Sequence, residues 1–256
     1  MKAIKLKVLM AGLLLSLGVM HSQNDSFQTY LVHEDEVIPS KVMAYEQAAK
    51  QLADKAKEHN IQSTQWLATS TSNFRYLYVT PIDKMADLDD NGLAELMDKM
   101  GVDSFSSMMS SFDECYDRHG SYVIVMDKEL TYMPDGISQT QDGKDFRKFY
   151  NIYYTPKNAK DIREAMREVK NLFKAKGSKT HYRVYRTAFG TMDSYYMVAV
   201  SAKDAVELEQ NAAENDKLIG EDGQKALNKV ISLSSRFEEY TGLIRPDLAY
   251  SPKKEN

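Results

Sequence analysis

Two stretches decide the fold: PSKVMAYEQAAKQLADKAKEHN at residues 39–60 and PKNAKDIREAMREVKNLFKAKG at residues 156–177. In the first, Val42, Tyr45, Ala49, Leu52 and Ala56 share one helical face. In the second, Ala159, Ile162, Met166, Val169 and Phe173 do the same. Each run opens on a proline and ends on a residue suited to left-handed backbone, Asn60 or Gly177. The offset is constant, 156 − 39 = 177 − 60 = 117.

Outward from these helices the repetition continues. Phe74–Pro81 leads into Leu88 as Ser194–Ser201 leads into Leu208, at offset 120. Ser111–Tyr116 is matched with Ser235–Tyr240. Each copy therefore reads strand, helix, strand, strand, helical region, strand. In copy one the strands are Phe27 to His33, Ile61 to Thr69, Phe74 to Thr80 and Tyr122 to Met126. Ser40 is positioned as an N-cap, and Pro81 should end strand pairing. The second helical region breaks near Asn91-Gly92 and Gly101, runs on to Tyr116 and stops at His119-Gly120. In copy two the strands are Phe149 to Tyr154, Thr180 to Ala188, Ser194 to Val200 and a short one near Leu243-Ile244. Asn158 caps its first helix, and its second breaks at Gly220–Gly223 before resuming to Tyr240. Met133–Asp145, carrying Pro134, Gly136 and Gly143, has linker composition.

The expected organisation is a signal peptide over 1–22, a first ferredoxin-like repeat over 23–132, a linker over 133–146 and a second repeat over 147–256. Lys2, Lys5 and Lys7 precede an uncharged apolar run, Val8 to Met20, too short for a membrane span and suited to a cleaved leader. The mature chain should be exported, to the periplasm or beyond the cell, with no membrane span. Lys and Arg (33) are outnumbered by Asp and Glu (37) and scattered among them, which argues against a nucleic-acid surface. Cys115 is the single cysteine, so stability rests on packed core, and Cys115 reads as a small buried hydrophobe.

The fold class is α+β. Tyr76 and Tyr78 alternate with Leu77 and Val79, and Tyr196 and Val198 with Tyr195 and Met197, so both faces of these strands call for cover. Two βαββαβ repeats packed sheet to sheet, as an intramolecular α/β barrel, supply it. With this order of elements and this repeat, the chain resembles the dimeric α/β-barrel superfamily. That superfamily includes NIPSNAP-like proteins, small antibiotic-biosynthesis-type monooxygenases and haem-degrading enzymes. The resemblance implies two ferredoxin-like units paired within one chain, hence a monomer. It also raises haem, held in the degrading enzymes by a helical histidine with an asparagine and a tryptophan. Trp66 matches by element, but neither amphipathic helix has a histidine on its core-facing stripe. No cofactor is expected.

Candidate chemistry centres on Thr180–Thr187, where His181, Arg183 and Tyr185 share one strand face. Arginines on such a strand either hold an anion between the sheets or reach water or nearby acids at an edge. With Trp66, Tyr76 and Tyr196 these residues form the expected lining of a pocket for a small hydrophobic or anionic ligand. His33 precedes Glu34-Asp35-Glu36, but no His-x-His, His-Glu-x-x-His or Asp-x-Asp-x-Asp spacing is present, so no metal site is expected. His59 and His119 read as solvated helix ends. Two functions remain. One is a non-enzymatic exported module that binds a small ligand or a protein. The alternative is a cofactor-independent monooxygenase-like enzyme acting on an aromatic small molecule.

Overall fold

The computed structural model describes residues 27–253. The leader reading lies outside them. Eight strands are hydrogen-bonded into one closed antiparallel barrel: β1 (Phe27–Val37), β2 (Leu67–Thr71), β3 (Arg75–Ile82), β4 (Tyr116–Asp127), β5 (Phe146–Tyr153), β6 (Tyr182–Phe189), β7 (Tyr195–Ala202) and β8 (Arg236–Ile244). Around the barrel they run β1-β3-β2-β8-β5-β7-β6-β4. The halves are therefore joined edge to edge, β2 to β8 and β4 to β6, rather than only laid face to face. Closure gives every strand two neighbours, although β2–β8 and β4–β6 pair over only three and four residues.

The two quoted stretches form helices of equal length. Pro39–Lys41 and Pro156–Asn158 are single 3-10 turns feeding α1 (Val42–His59) and α4 (Ala159–Lys176), each 18 residues. Asn60 (φ 43°) and Gly177 (φ 65°) end them in left-handed backbone as expected. The caps differ from expectation. Ser40 lies inside its 3-10 turn, and the Asn158 side chain donates to the Leu233 carbonyl and accepts nothing from its own helix. In the first half α2 (Ala94–Met100) and α3 (Val102–Met109) follow β3. In the second half a single long α5 (Ala205–Leu233) follows β7 and kinks at Gly220.

Several expected boundaries move. β2 begins only at Leu67, and Trp66 makes an isolated bridge to Tyr250 instead. β1 runs on to Val37, and β4 starts at Tyr116, so His119 lies within a strand and not at a helix end. β8 occupies Arg236–Tyr240, which was expected to be helical. The added ends of β4 and β8 are solvent-facing, so no hydrophobic alternation marks them. Pro81 belongs to β3 opposite Tyr30, but β2 reaches only to Val79. It thus lies beyond the doubly paired part of its strand.

Core material falls in three places. α1, α2 and α3 cover the outer face of the first half, around Tyr45, Tyr76 and Leu96. α4 and α5 cover that of the second, around Ile162, Phe173 and Tyr182. The barrel interior is itself filled, by Tyr30, Val32, Leu77, Ile124, Met126, Phe149, Tyr185 and Tyr240 among others.

Candidate functional site

The barrel interior is a packed core with two internal polar clusters. In one, Glu34 accepts from Arg75 (3.2 Å) and from the Tyr122 hydroxyl (2.7 Å), and the Arg75 guanidinium lies 4.5 Å from the Tyr240 ring centroid. Arg75 was not singled out from sequence, and Glu34 figured there only within the acidic run after His33. The other cluster holds Arg183 and Arg147, each only 2% exposed. Arg183 is buried from water and, among the described residues, meets no acid: it donates to the Ser138 carbonyl (2.7 Å) and to Ser201 Oγ. Arg147 donates to the carbonyls of Lys144, Phe146 and Gln139. Burial, and then the neighbouring Arg183, bring the Arg147 guanidinium down to about 10. Gln139 donates to the Tyr30 hydroxyl and accepts from that of Tyr185. The 138–145 segment thus supplies carbonyls that hydrogen-bond both arginines. Beside it opens a polar cleft of about 1040 Å³ bordered by Tyr30, Trp66, Gln139, Asp145 and Tyr250.

A more apolar cavity lies elsewhere, between α4, α5 and the outer face of the second half, with a volume of about 340 Å³. β5 contributes Tyr150 and Ile152, β6 Tyr182, β7 Val198 and Val200, and α4 Met166, Val169 and Phe173. α5 lines it on both sides of its kink, with Asn215 before Gly220 and Leu227 and Val230 after it. Gly220 takes φ 59° and ψ −153°, a conformation essentially confined to glycine. The kink therefore wraps one helix around one cavity. Val198 and Val200 are only partly buried beneath the helices. The rim includes the exposed Ala212, Asp216, Ile231 and Phe237.

Polar groups in this cavity are few. Asn215 is buried, and its Oδ1 accepts from Ser178 Oγ (2.5 Å), whose own oxygen accepts from the Thr180 amide. Tyr182 is 7% exposed, and its hydroxyl has no protein partner among the described residues. Burial, and then Tyr132, raise that hydroxyl well above its ordinary value. It stays a neutral donor at all ordinary pH. The lining contains no histidine or cysteine, the common proximal haem ligands.

The expected site residues are dispersed. Arg183 and Tyr185 lie together inside the barrel. His181 precedes β6, with Nδ1 3.9 Å from Asp135 and its ring edge-on to Tyr132. Tyr196 faces outward against Tyr154. Tyr76 lies under α1, donating to Glu46 (2.6 Å). Trp66 donates to the Leu248 carbonyl (2.8 Å) and packs on Tyr250. Cys115 is buried, and burial raises its thiol. None of the six lines the apolar cavity. Tyr150, Tyr182 and Val198 do, and the only sequence signal for them is apolar character on the helix-facing side of their strands.

No protein-family model matches the chain, and no curated protein matches it in sequence. Solved structures do match. An anthrone oxidase-like protein superposes with a TM-score of 0.57 at 12% identity, over 86% of this chain and 92% of that one. A candidate monooxygenase from Fusobacterium nucleatum gives 0.54 at 12%, over 86% and 93%. Another from Lactobacillus acidophilus gives 0.50 at 7%, over 85% and 93%. The likeness is one of fold.

Proposed function

We propose that the protein binds a small apolar molecule, of the size of one to three fused rings, in the cavity between α4, α5 and the second half of the barrel. The observation that carries this reading is the cavity itself. Its volume of about 340 Å³ falls within the usual range for small-molecule sites, whereas the barrel interior is filled. Apart from Asp216 on the exposed rim, the walls carry no charge, and Tyr182 is left to orient a polar substituent on the ligand. The lining has no histidine, lysine or cysteine, and its one carboxylate, Asp216, is exposed on the rim and not buried as a tuned base would be, so the leading function is binding.

A second reading is cofactor-independent oxidation of a phenolic ring system. Two features favour it: the unpartnered Tyr182 hydroxyl and the fold likeness to an anthrone oxidase-like protein. In such a reaction a ring CH₂ and O₂ give a ring carbonyl and water, the substrate itself supplying the electrons. Tyr182 would hold the substrate oxygen.

The same reading treats the chain as an exported monomer of two fused ferredoxin-like units, 23–132 and 147–256, joined by 133–146. Support comes from the strand order, β4-β1-β3-β2 in one half and β8-β5-β7-β6 in the other. The test is a native mass spectrum of untagged protein from its exported fraction, alongside the Val198→Phe variant. A bound small molecule in the wild type, absent from the variant, is expected. A bare mass for both, with no uptake of added 1-naphthol, would overturn the reading. Oxygen consumption with an anthrone separates the two functions.

A further inference from the structure

Asp35 is an unusual carboxylate. It lies on β1 with its side chain turned outward, and it is only 4% exposed. The Tyr45 hydroxyl donates to Oδ2 (2.5 Å) and lies 2.9 Å from that of Tyr78. Among the described residues, Oδ1 has no hydrogen-bond partner. His33 Nε2 is 3.2 Å from it, but out of line for a hydrogen bond. A buried carboxylate oxygen left in this state is costly, and it calls for a third atom on which both groups converge.

The strand register brings up the remaining donor. β1 pairs with β4 so that Asp35 stands opposite His119 and His33 opposite Ser121. On one face, Asp35 and His119 are thus direct cross-strand partners, and His33 is two residues along. One donor atom from each of His33, Asp35 and His119 lies within 4.8 Å of the others. The imidazole rings meet edge to face at 5.6 Å. Ligands at zinc bond lengths in a tetrahedron are separated by about 3.4 Å, close to the 3.2 Å between His33 Nε2 and Asp35 Oδ1. Outer groups are in place as well: His33 Nδ1 is 3.0 Å from Ser121 Oγ, and Tyr45 fixes the second carboxylate oxygen.

We propose that His33, Asp35 and His119 form a binding site for a divalent transition-metal ion of the zinc type. Two imidazoles and one carboxylate suit that class rather than calcium or magnesium. Three protein ligands leave a coordination position open, and the exposure of His119 opens the site to solvent. The site is separate from the apolar cavity, being in the other half of the molecule.

The test is calorimetric titration of untagged, chelator-treated full chain with zinc chloride, paralleled by visible spectra with cobalt(II). One zinc per chain and cobalt d–d bands of tetrahedral intensity are expected. His119→Ala should weaken zinc binding ~100-fold or more, beyond what loss of an outer partner causes, and should abolish the bands. Because His119 is exposed, this variant should keep the wild-type circular dichroism. His59→Ala, at the end of α1, should bind as the wild type does. Absence of heat and bands in the wild type, or binding that survives His119→Ala, would overturn the proposal and leave His33 and Asp35 as a simple side-chain contact.

Discussion

Val198→Phe should stabilise the protein and at the same time abolish its ligand binding. Val198 lines the 340 Å³ cavity and is only partly buried, so a larger side chain has space to enter. The substitution adds four carbons, worth ~0.8 kcal/mol each when buried, or about 3 kcal/mol gross. Ordering the ring and imperfect contact remove about half. The remaining ~1–2 kcal/mol should raise Tm by roughly 3–6 °C in a chain of this size. The same substitution at Val32, 2% exposed inside the filled barrel, should instead cost ~1–3 kcal/mol through overpacking. Differential scanning calorimetry of both variants reads the two signs directly. If Val198→Phe destabilises as much as Val32→Phe, the cavity is not free space and the reasoning fails.

Other consequences can be checked separately. Gly220→Ala should cost ~1–3 kcal/mol in denaturant unfolding, because a Cβ there meets nothing within 4 Å and only backbone strain acts; a neutral result would show the kink is not needed. Arg147→Met leaves carbonyls of the 138–145 segment without their donor and should destabilise by ~2–4 kcal/mol. Limited proteolysis should then cut that segment faster. Alkaline pH should destabilise the fold. Burial pushes Tyr30 and Tyr240 up to about 12, against an ordinary 10.0. Unfolded tyrosines thus lose protons first, and this stability, complete below pH 10, is lost as pH rises from 10 to 12 at ~1.4 kcal/mol per unit per group. Tyrosinate absorbance should appear together with unfolding; free titration near pH 10 in the folded protein would contradict the burial. Light scattering should give a monomer, since the two halves close the barrel within one chain.

The architecture was legible where the chain repeats a strong local pattern. The helices beginning after Pro39 and Pro156 are the clearest case, because amphipathic spacing and left-handed stops are encoded within a few residues. β4 and β8 were misread at their starts because Asp117–Ser121 and Arg236–Glu239 are exposed, and exposed strand carries no alternation to detect. Arg183 and Tyr185 were rightly placed on one strand face, yet Tyr76 and Tyr196 turn outward beneath different helices. Strand parity alone does not say which face is inner. The apolar cavity depends on how α5 bends at Gly220, a tertiary event. The His33, Asp35 and His119 cluster depends on β1–β4 register, which joins residues more than eighty positions apart and leaves no motif.

The central claim is that a ligand enters the cavity under α4 and α5 and not the barrel. Methyl-resolved NMR during titration with 1-naphthol tests it most directly. Saturable shifts at Met166, Val169, Val198 and Val230, with Val32, Leu77 and Ile124 unmoved, are predicted. Shifts confined to the barrel residues, or no saturable shifts at all, would contradict it.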